Sequence, residues 1–379
     1  MSSTPKVACR NVWKIFGPQP RSVINSGVAR ASKAEILAKT GHVMAVREIS
    51  FEVRQGETFV VMGLSGSGKS TLLRCLPRLI DPSFGQVLID GEDVATMNEQ
   101  KLREVRRHKM SMVFQHFGLF PHRRILDNVA YGLEIQGMPK AARYARAQEV
   151  IELVNLKGWE NHYPGQLSGG MQQRVGLARA LAVNPEILLF DEPFSALDPL
   201  IRREMQDELI TLQEQMHKTL IFITHDFAEA LKLGDRIAIM KDGEFVQVGT
   251  PQEVVLYPAD DYVREFTKDV PRAKVLTAQN IMTPAPVGAS PQQAVPAYTL
   301  LDDLLPLVAM TEQPIPVVNT ANRIIGSIDR TAVLMAMSGL SLPPQPPSAQ
   351  PPSGQTPLLP PPNNQLTVQQ TPAKKGGKR

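Results

Sequence analysis

The stretch Gly63-Leu64-Ser65-Gly66-Ser67-Gly68-Lys69-Ser70 stands between the apolar run Phe59 to Met62 and a segment carrying Leu72, Leu73 and Leu76. It satisfies the eight-residue phosphate-loop pattern and does so in the required strand, loop, helix setting. The glycines let backbone N–H groups turn inward on phosphates, which also meet the positive end of the following helix. Lys69 is expected to reach the β- and γ-phosphates, and the Ser70 hydroxyl to ligate Mg²⁺. Gly63, Ser65, Gly66, Ser67, Gly68 and Thr71 complete the expected cradle. A dinucleotide-binding fingerprint is excluded, because Gly66-Ser67-Gly68 would need Gly or Ala at position 71 and has Thr71.

Two further segments fit a nucleotide site. Ile187-Leu188-Leu189-Phe190-Asp191-Glu192 puts two carboxylates at the end of an apolar strand, where ligands sit in open α/β sheets. Asp191 suits Mg²⁺, and Glu192 is then the candidate general base for the attacking water. Leu167-Ser168-Gly169-Gly170-Met171-Gln172-Gln173-Arg174 opens a helix on which Val175, Ala178 and Leu181 recur at helical spacing. Ser168 is an N-cap candidate, and the paired glycines expose first-turn N–H groups to an anion. A second phosphate site so far from Lys69 is explained if each nucleotide is closed between the phosphate loop of one subunit and this helix start of another.

Around these segments, residues 1 to about 270 alternate β-branched runs with helical ones, the α/β pattern of a mainly parallel sheet covered by helices. Strands are predicted at Thr58 to Met62, Met110 to Phe114, Ile187 to Phe190, Leu220 to Thr224 and Arg236 to Met240. The Asp242-Gly243 turn announces an edge hairpin. Residues 17–45 read as an insertion with one short helix, Lys33 to Thr40, between cap candidates Ser32 and Gly41. A small α+β unit is predicted over 271–339, with runs Ile315 to Val318 and Ile324 to Ile328 and a helix Arg330 to Met337. Residues 340–379 are Pro-rich and expected to be disordered: eleven of the 32 prolines lie between Pro343 and Pro372. That tail ends in Lys374, Lys375, Lys378 and Arg379, read as a solvated basic end. Setting these four aside from the net charge of +4 leaves a body of zero formal charge, so no basic surface for nucleic acid is expected. Cys9 and Cys75 give no disulfide framework or metal cluster. No stretch reaches the ~18 apolar residues of a membrane span, so work at a membrane requires another chain to provide one.

The strings GLSGSGKST, Gln115 after a strand, LSGGMQQR, ILLFDE, Ser195-Ala196-Leu197-Asp198 and His225 after a strand resemble, in order, the motif set of ABC-transporter ATPase subunits. The resemblance covers about residues 6 to 260. It implies a P-loop ABC cassette: a RecA-like parallel core, antiparallel edge strands, and a helical subdomain over about 115–182. It also implies ATP and Mg²⁺ as ligands. By the same resemblance Gln115 links Mg²⁺ to the helical subdomain, Ser168, Gly169, Gly170 and Gln172 contact nucleotide, and Asp198 belongs to a loop at the dimer interface. His225 holds the γ-phosphate, and Phe16 stacks on adenine; the alternative for Phe16, with Trp13 nearby, is an ordinary core aromatic.

Longer strings, among them MVFQHFGLFPH and FSALDPLIRREMQDEL, look like the ATPase subunit of glycine betaine/proline/choline-type osmoprotectant importers, a group that also carries the insertion. The implied partners are a second copy in a nucleotide-sandwich dimer, a transmembrane permease, and indirectly a substrate-binding protein, at the cytoplasmic face of the membrane. The region Gln115 to Pro121, read as helical with Phe117, Leu119 and Phe120 outward, is the expected permease contact. Residues 277–339 are similar to a single cystathionine-β-synthase-type unit, whose usual ribose contact falls on Asp329 and Ala332. The alternatives are an importer ATPase for another solute, such as an amino acid, and a soluble ABC ATPase acting on ribosomes or nucleic acid. Against the latter, this chain has one cassette and no long coiled coil between Lys69 and Ser168.

Overall fold

A computed structural model describes residues 4–115, 118–284 and 294–338. Phe117 and the tail with its basic end lie outside the described residues. Val7–Phe16 (β1) leads through Arg21–Asn25 (α1) and Lys33–Thr40 (α2) to Val43–Val53 (β2). Thr58–Met62 (β3) enters the glycine-rich loop and Lys69–Cys75 (α3), followed by Phe84–Ile89 (β4), Glu92–Asp93 (β5), Glu99–Glu104 (α4) and Met110–Val113 (β6). Ile125–Ile135 (α5), Lys140–Leu153 (α6) and Gly169–Ala182 (α7) form a helical lobe. Next come Ile187–Asp191 (β7), Pro199–Met216 (α8), Thr219–Thr224 (β8), Phe227–Leu233 (α9), Arg236–Lys241 (β9), Glu244–Gly249 (β10), Pro251–Leu256 (α10) and Asp261–Thr267 (α11). The last part holds Ala278–Ile281 (α12), Val295–Pro296 (β11), Leu301–Met310 (α13), Ile315–Val318 (β12), Ile324–Ile328 (β13) and Arg330–Ser338 (α14).

The main sheet has the order β10-β9-β3-β8-β7-β6, parallel from β9 to β6, with β10 antiparallel at the edge. Its central strands are apolar without interruption because both faces are covered. Phe59, Val61, Leu189, Ile221 and Ile223 enter one core, shared with β1, β2, β4 and α3. Val60, Met62, Phe190, Phe222 and Ile237 alternate into a second, shared with the helical lobe and continuing through Val254, Val263, Leu276 and Ile281 to the small C-terminal sheet. Helix faces follow the same logic: Met205, Leu209 and Leu212 recur at positions i, i+4 and i+7 on the buried side of α8.

Besides β10, antiparallel strands form a four-stranded sheet, β2-β1-β4-β5, and β12 and β13 pair antiparallel in the C-terminal sheet. Two expectations need correction. The insertion ends at His42, since Val43, Met44 and Ala45 already belong to β2, with Val43 and Met44 paired to Phe16 and Ile15. The segment from Gln115 to Pro121 is not helical where described, and the lobe's first helix begins at Ile125. The fully buried Asn128 explains this: its Oδ1 accepts from Phe120 N–H at 2.8 Å and its Nδ2 donates to the Phe120 and Arg123 carbonyls, so those backbone groups are satisfied outside a helix. Cys9 and Cys75 are free and buried, and burial pushes both thiols up, Cys75 to about 12.

Phe222 is fully buried and lies between the rings of Phe190 and Phe194, with centroids 5.5 and 5.6 Å away. Phe222→Ala is expected to lower stability by about 3–5 kcal/mol in denaturant unfolding; a loss under about 1 kcal/mol would mean that this face of the sheet is not a packed core. Glu229 is also buried, accepting from Thr224 Oγ1 at 2.7 Å and Gln206 Nε2 at 3.2 Å, and burial holds its carboxyl above the usual range. The folded state therefore binds more protons here than the unfolded one, so this group's contribution to stability falls as pH rises from the unfolded to the folded value. Glu229→Gln should gain on the wild type between about pH 4 and pH 7 in parallel unfolding curves; a difference that shrinks with pH contradicts the assignment.

Candidate active site

The phosphate loop, Gln115, Asp191, Glu192 and His225 lie at the carboxyl ends of β3, β6, β7 and β8. At the end of β3, the loop needs glycine at two points: Gly63 (φ +153) and Gly68 (φ +114) are conformations L side chains rarely adopt, and a Cβ would collide with the Met240 carbonyl in the first case and the Ala45 carbonyl in the second. Lys69 is 4 % exposed and curls back over the loop, donating to Gly63 O at 2.8 Å and Leu64 O at 3.2 Å. Ser65 and Gly66 are exposed, Ser70 and Thr71 half-buried in the first turn of α3, and the buried Ser67 hydroxyl has no hydrogen-bond partner among the described residues.

Opposite the loop, β7 delivers Asp191 and Glu192. Glu192 has φ +45, uncommon for a residue with a side chain and a local cost accepted where the surrounding structure fixes it. Its Oε1 lies 3.3 Å from Lys69 Nζ and its Oε2 3.0 Å from His225 Nδ1, so three groups separated widely in sequence share one contact. Asp191 is buried; Oδ2 accepts from Arg74 Nη2 at 3.0 Å, while Oδ1 has no partner among the described residues. An acceptor orphaned in this way beside the phosphate loop suits a cation. Gln115 follows β6 and donates through Nε2 to Ser195 Oγ at 3.2 Å, which turns its amide nitrogen to the protein and keeps the oxygen for ligation; Ser195 Oγ in turn donates to Glu192 O at 3.0 Å. Residues Ser70, Gln115 and Asp191 thus offer an oxygen set that fits Mg²⁺.

Ser168 caps α7, its Oγ accepting from Met171 N–H at 3.3 Å. Asp198 likewise caps α8, accepting from Leu200 and Ile201 N–H at 3.2 and 3.1 Å. These two helix starts pack together, since a Cβ on Gly170 would run into Ile201 and one on Gly169 would lie 3.9 Å from Leu197. Gln172 turns back to its own loop and donates to the Pro164 and Leu167 carbonyls. Among the described hydrogen bonds and ion pairs, none joins 168–172 to the phosphate loop. Phe16 and Trp13 separate clearly: Trp13 is core, whereas Phe16 ends β1 with 41 % exposure and Lys14 Nζ 4.8 Å above its ring. Phe16 is therefore not a core aromatic. Arg74 is a site residue that the motifs do not reveal; its position five residues after Lys69, on the next turn of α3, is the one signal the sequence offers for it.

The model of the family described as "ABC transporter" matches residues 46–195. The chain is 54% identical to the glycine betaine transport ATP-binding protein OpuAA of Bacillus subtilis over 79% of its own length and 72% of that protein's. It is 46% identical to the trimethylamine N-oxide transport system ATP-binding protein TmoW of Pelagibacter ubique over 88% of its length and 97% of the relative's. Among solved structures, the dimeric post-hydrolysis state of the ATP-binding cassette MJ0796 bound to ADP and Pi superposes with a TM-score of 0.55 at 34% identity, covering 65% of this chain and 98% of that one. Identity of 54% over 79% of this chain and 72% of the relative shows that the chain belongs to the family of ABC transporter ATP-binding subunits.

Proposed function

We propose that this subunit is the ATP-hydrolysing motor of an importer for small trimethylated zwitterions. The observation that carries the chemistry is the Glu192 carboxylate held between Lys69 and His225. Water attacks the γ-phosphorus, Glu192 takes the water's proton, the bond to the β-phosphate oxygen breaks, and ADP and phosphate leave. Lys69 balances the phosphate charge, and His225 keeps the carboxylate and the water in line. When bound, Mg²⁺ would be held by Ser70, Gln115 and Asp191 and would neutralise the β- and γ-oxygens.

The second half of each site comes from another copy. Ser168, Gly169, Gly170 and Gln172 reach the nucleotide bound on the partner's phosphate loop, with Asp198 beside them, so closure of the dimer is the power stroke and phosphate release the reset. No described helix is long and apolar enough to cross a membrane. The force is passed instead to a separate permease, whose substrate-binding protein this chain does not touch. A groove of about 300 Å³ between the sheet and the helical lobe, lined by Leu79, Phe114, Ile135, Arg179 and Val183, is the proposed seat for the permease, next to rather than at Leu119 and Phe120. This contact would hold the subunit at the cytoplasmic face of the membrane. Residues 271–339 are read as a packing unit rather than a nucleotide sensor, because Ala332 offers no hydroxyl where the ribose contact would fall and Asp329 accepts from its N–H at 2.7 Å.

Glycine betaine and trimethylamine N-oxide share a trimethylated nitrogen and differ in the group that carries the negative charge. Coverage favours the N-oxide, with 97% of TmoW and 72% of OpuAA spanned, and identity favours glycine betaine, at 54% to OpuAA and 46% to TmoW. Glu192→Gln is expected to keep ATP binding while lowering turnover about 10²- to 10⁴-fold. In cells, that variant should abolish uptake of labelled glycine betaine or of labelled trimethylamine N-oxide, and the solute lost names the cargo. Normal turnover removes Glu192 as the base, and undiminished uptake of both solutes removes the trimethylated-zwitterion cargo and leaves an importer for another solute.

A further inference from the structure

The insertion between β1 and β2 folds around a core of its own, in which Val23, Ile36 and Met44 are almost completely buried together with Trp13 and Ile15. Its helix α2 is capped reciprocally by Ser32 and Glu35. Its base is closed by His42, whose ring nitrogens lie 2.8 Å from Thr40 O and 2.5 Å from Pro18 O, and whose ring occupies the space a Cβ at Gly17 would need. The insertion is thus a rigid body and not a slack loop.

Two routes tie this body to the phosphate loop. Lys33 Nζ donates to Gly66 O at 3.1 Å. Arg47 Nη2 donates to Ala31 O at 2.8 Å, the Arg47 N–H to Gly243 O at 2.8 Å, and the Gly243 N–H to Ser67 O at 2.8 Å. The Gly66 carbonyl and the Ser67 N–H share one peptide plane and point in opposite directions. That N–H closes the loop's turn on Leu64 O at 3.2 Å. Gly66 itself has φ +78, and a Cβ there would meet nothing within 4 Å, so no neighbour packs on Gly66 from that side to hold this peptide. Lys33 fixes it from the outer side, as Lys69 fixes the Gly63 and Leu64 carbonyls from the inner side.

We propose that the insertion is a clasp on the phosphate loop and that Lys33 is its positioning residue, setting nucleotide affinity by holding the Gly66–Ser67 peptide in its binding orientation. Burial lowers the Lys33 pKa, in keeping with an ammonium drawn against the loop. The effect acts through pre-organisation: the loop that binds phosphate is already shaped before the nucleotide arrives. The inference rests on the nucleotide reading of the loop.

The test uses the full chain with a fluorescent ATP analogue and Mg²⁺, comparing wild type, Lys33→Ala, Lys33→Arg and Lys69→Ala. Lys33→Ala should weaken Kd and raise KM about fivefold, the scale of one net intramolecular hydrogen bond, with kcat at saturating ATP within about twofold and the Tm unchanged. Lys33→Arg should restore most of the affinity. If wild type binds and Lys69→Ala does not, while Lys33→Ala binds like wild type, the clasp is overturned and the nucleotide reading stands. A parallel fall in Tm and kcat also overturns it, because a merely structural role predicts that pattern. Wild type and Lys69→Ala both failing to bind would overturn the nucleotide reading itself.

Discussion

One carboxylate organises the site. Glu192 reaches Lys69 through one oxygen and His225 through the other, and it can do so because the chain leaves β7 with a positive φ that turns the side chain back over the phosphate loop. The rest of the sheet serves that geometry. Parallel register aligns the ends of β3, β8 and β7, with Val60 opposite Phe222 and Phe222 opposite Phe190, so three loops carrying Lys69, Glu192 and His225 open at the same edge. Two cores, one on each face, make that edge rigid.

The same packing that completes one half of the site leaves the other half facing away. Ser168 and the glycines after it are held by Leu197 and Ile201, close to the Asp198 cap and not to the phosphate loop. In the proposed dimer a second copy supplies the phosphate loop that this helix start lacks among the described contacts of its own chain. Symmetry then makes both sites at once, which couples nucleotide occupancy to the separation of two subunits and gives the ATPase something to push with.

What is legible in the sequence is local. The phosphate loop, the Asp191-Glu192 pair and the Ser168 cap are each contiguous and each flanked by the element that positions them, so composition and spacing are enough. Contacts made only by folding are not legible: Arg74 with Asp191, Ser195 with Gln115, and Lys33 with Gly66 join residues 117, 80 and 33 positions apart. The segment before Pro121 is assigned to the helical region by resemblance alone, whereas the buried Asn128 amide captures its backbone. The insertion is visible in the sequence as an interruption, but its private core, and thus its rigidity, depends on Trp13 and Met44 from the flanking strands.

The two-chain site is most directly tested by Ser65→Cys combined with Ser168→Cys in the full-length protein, where Cys9 and Cys75 are buried and silent. Both positions are exposed. Under mild oxidation, a covalent dimer should form with ATP and Mg²⁺ and not with nucleotide absent. Failure to cross-link between chains while ATP is demonstrably bound would contradict the shared site and with it the account of how hydrolysis becomes movement.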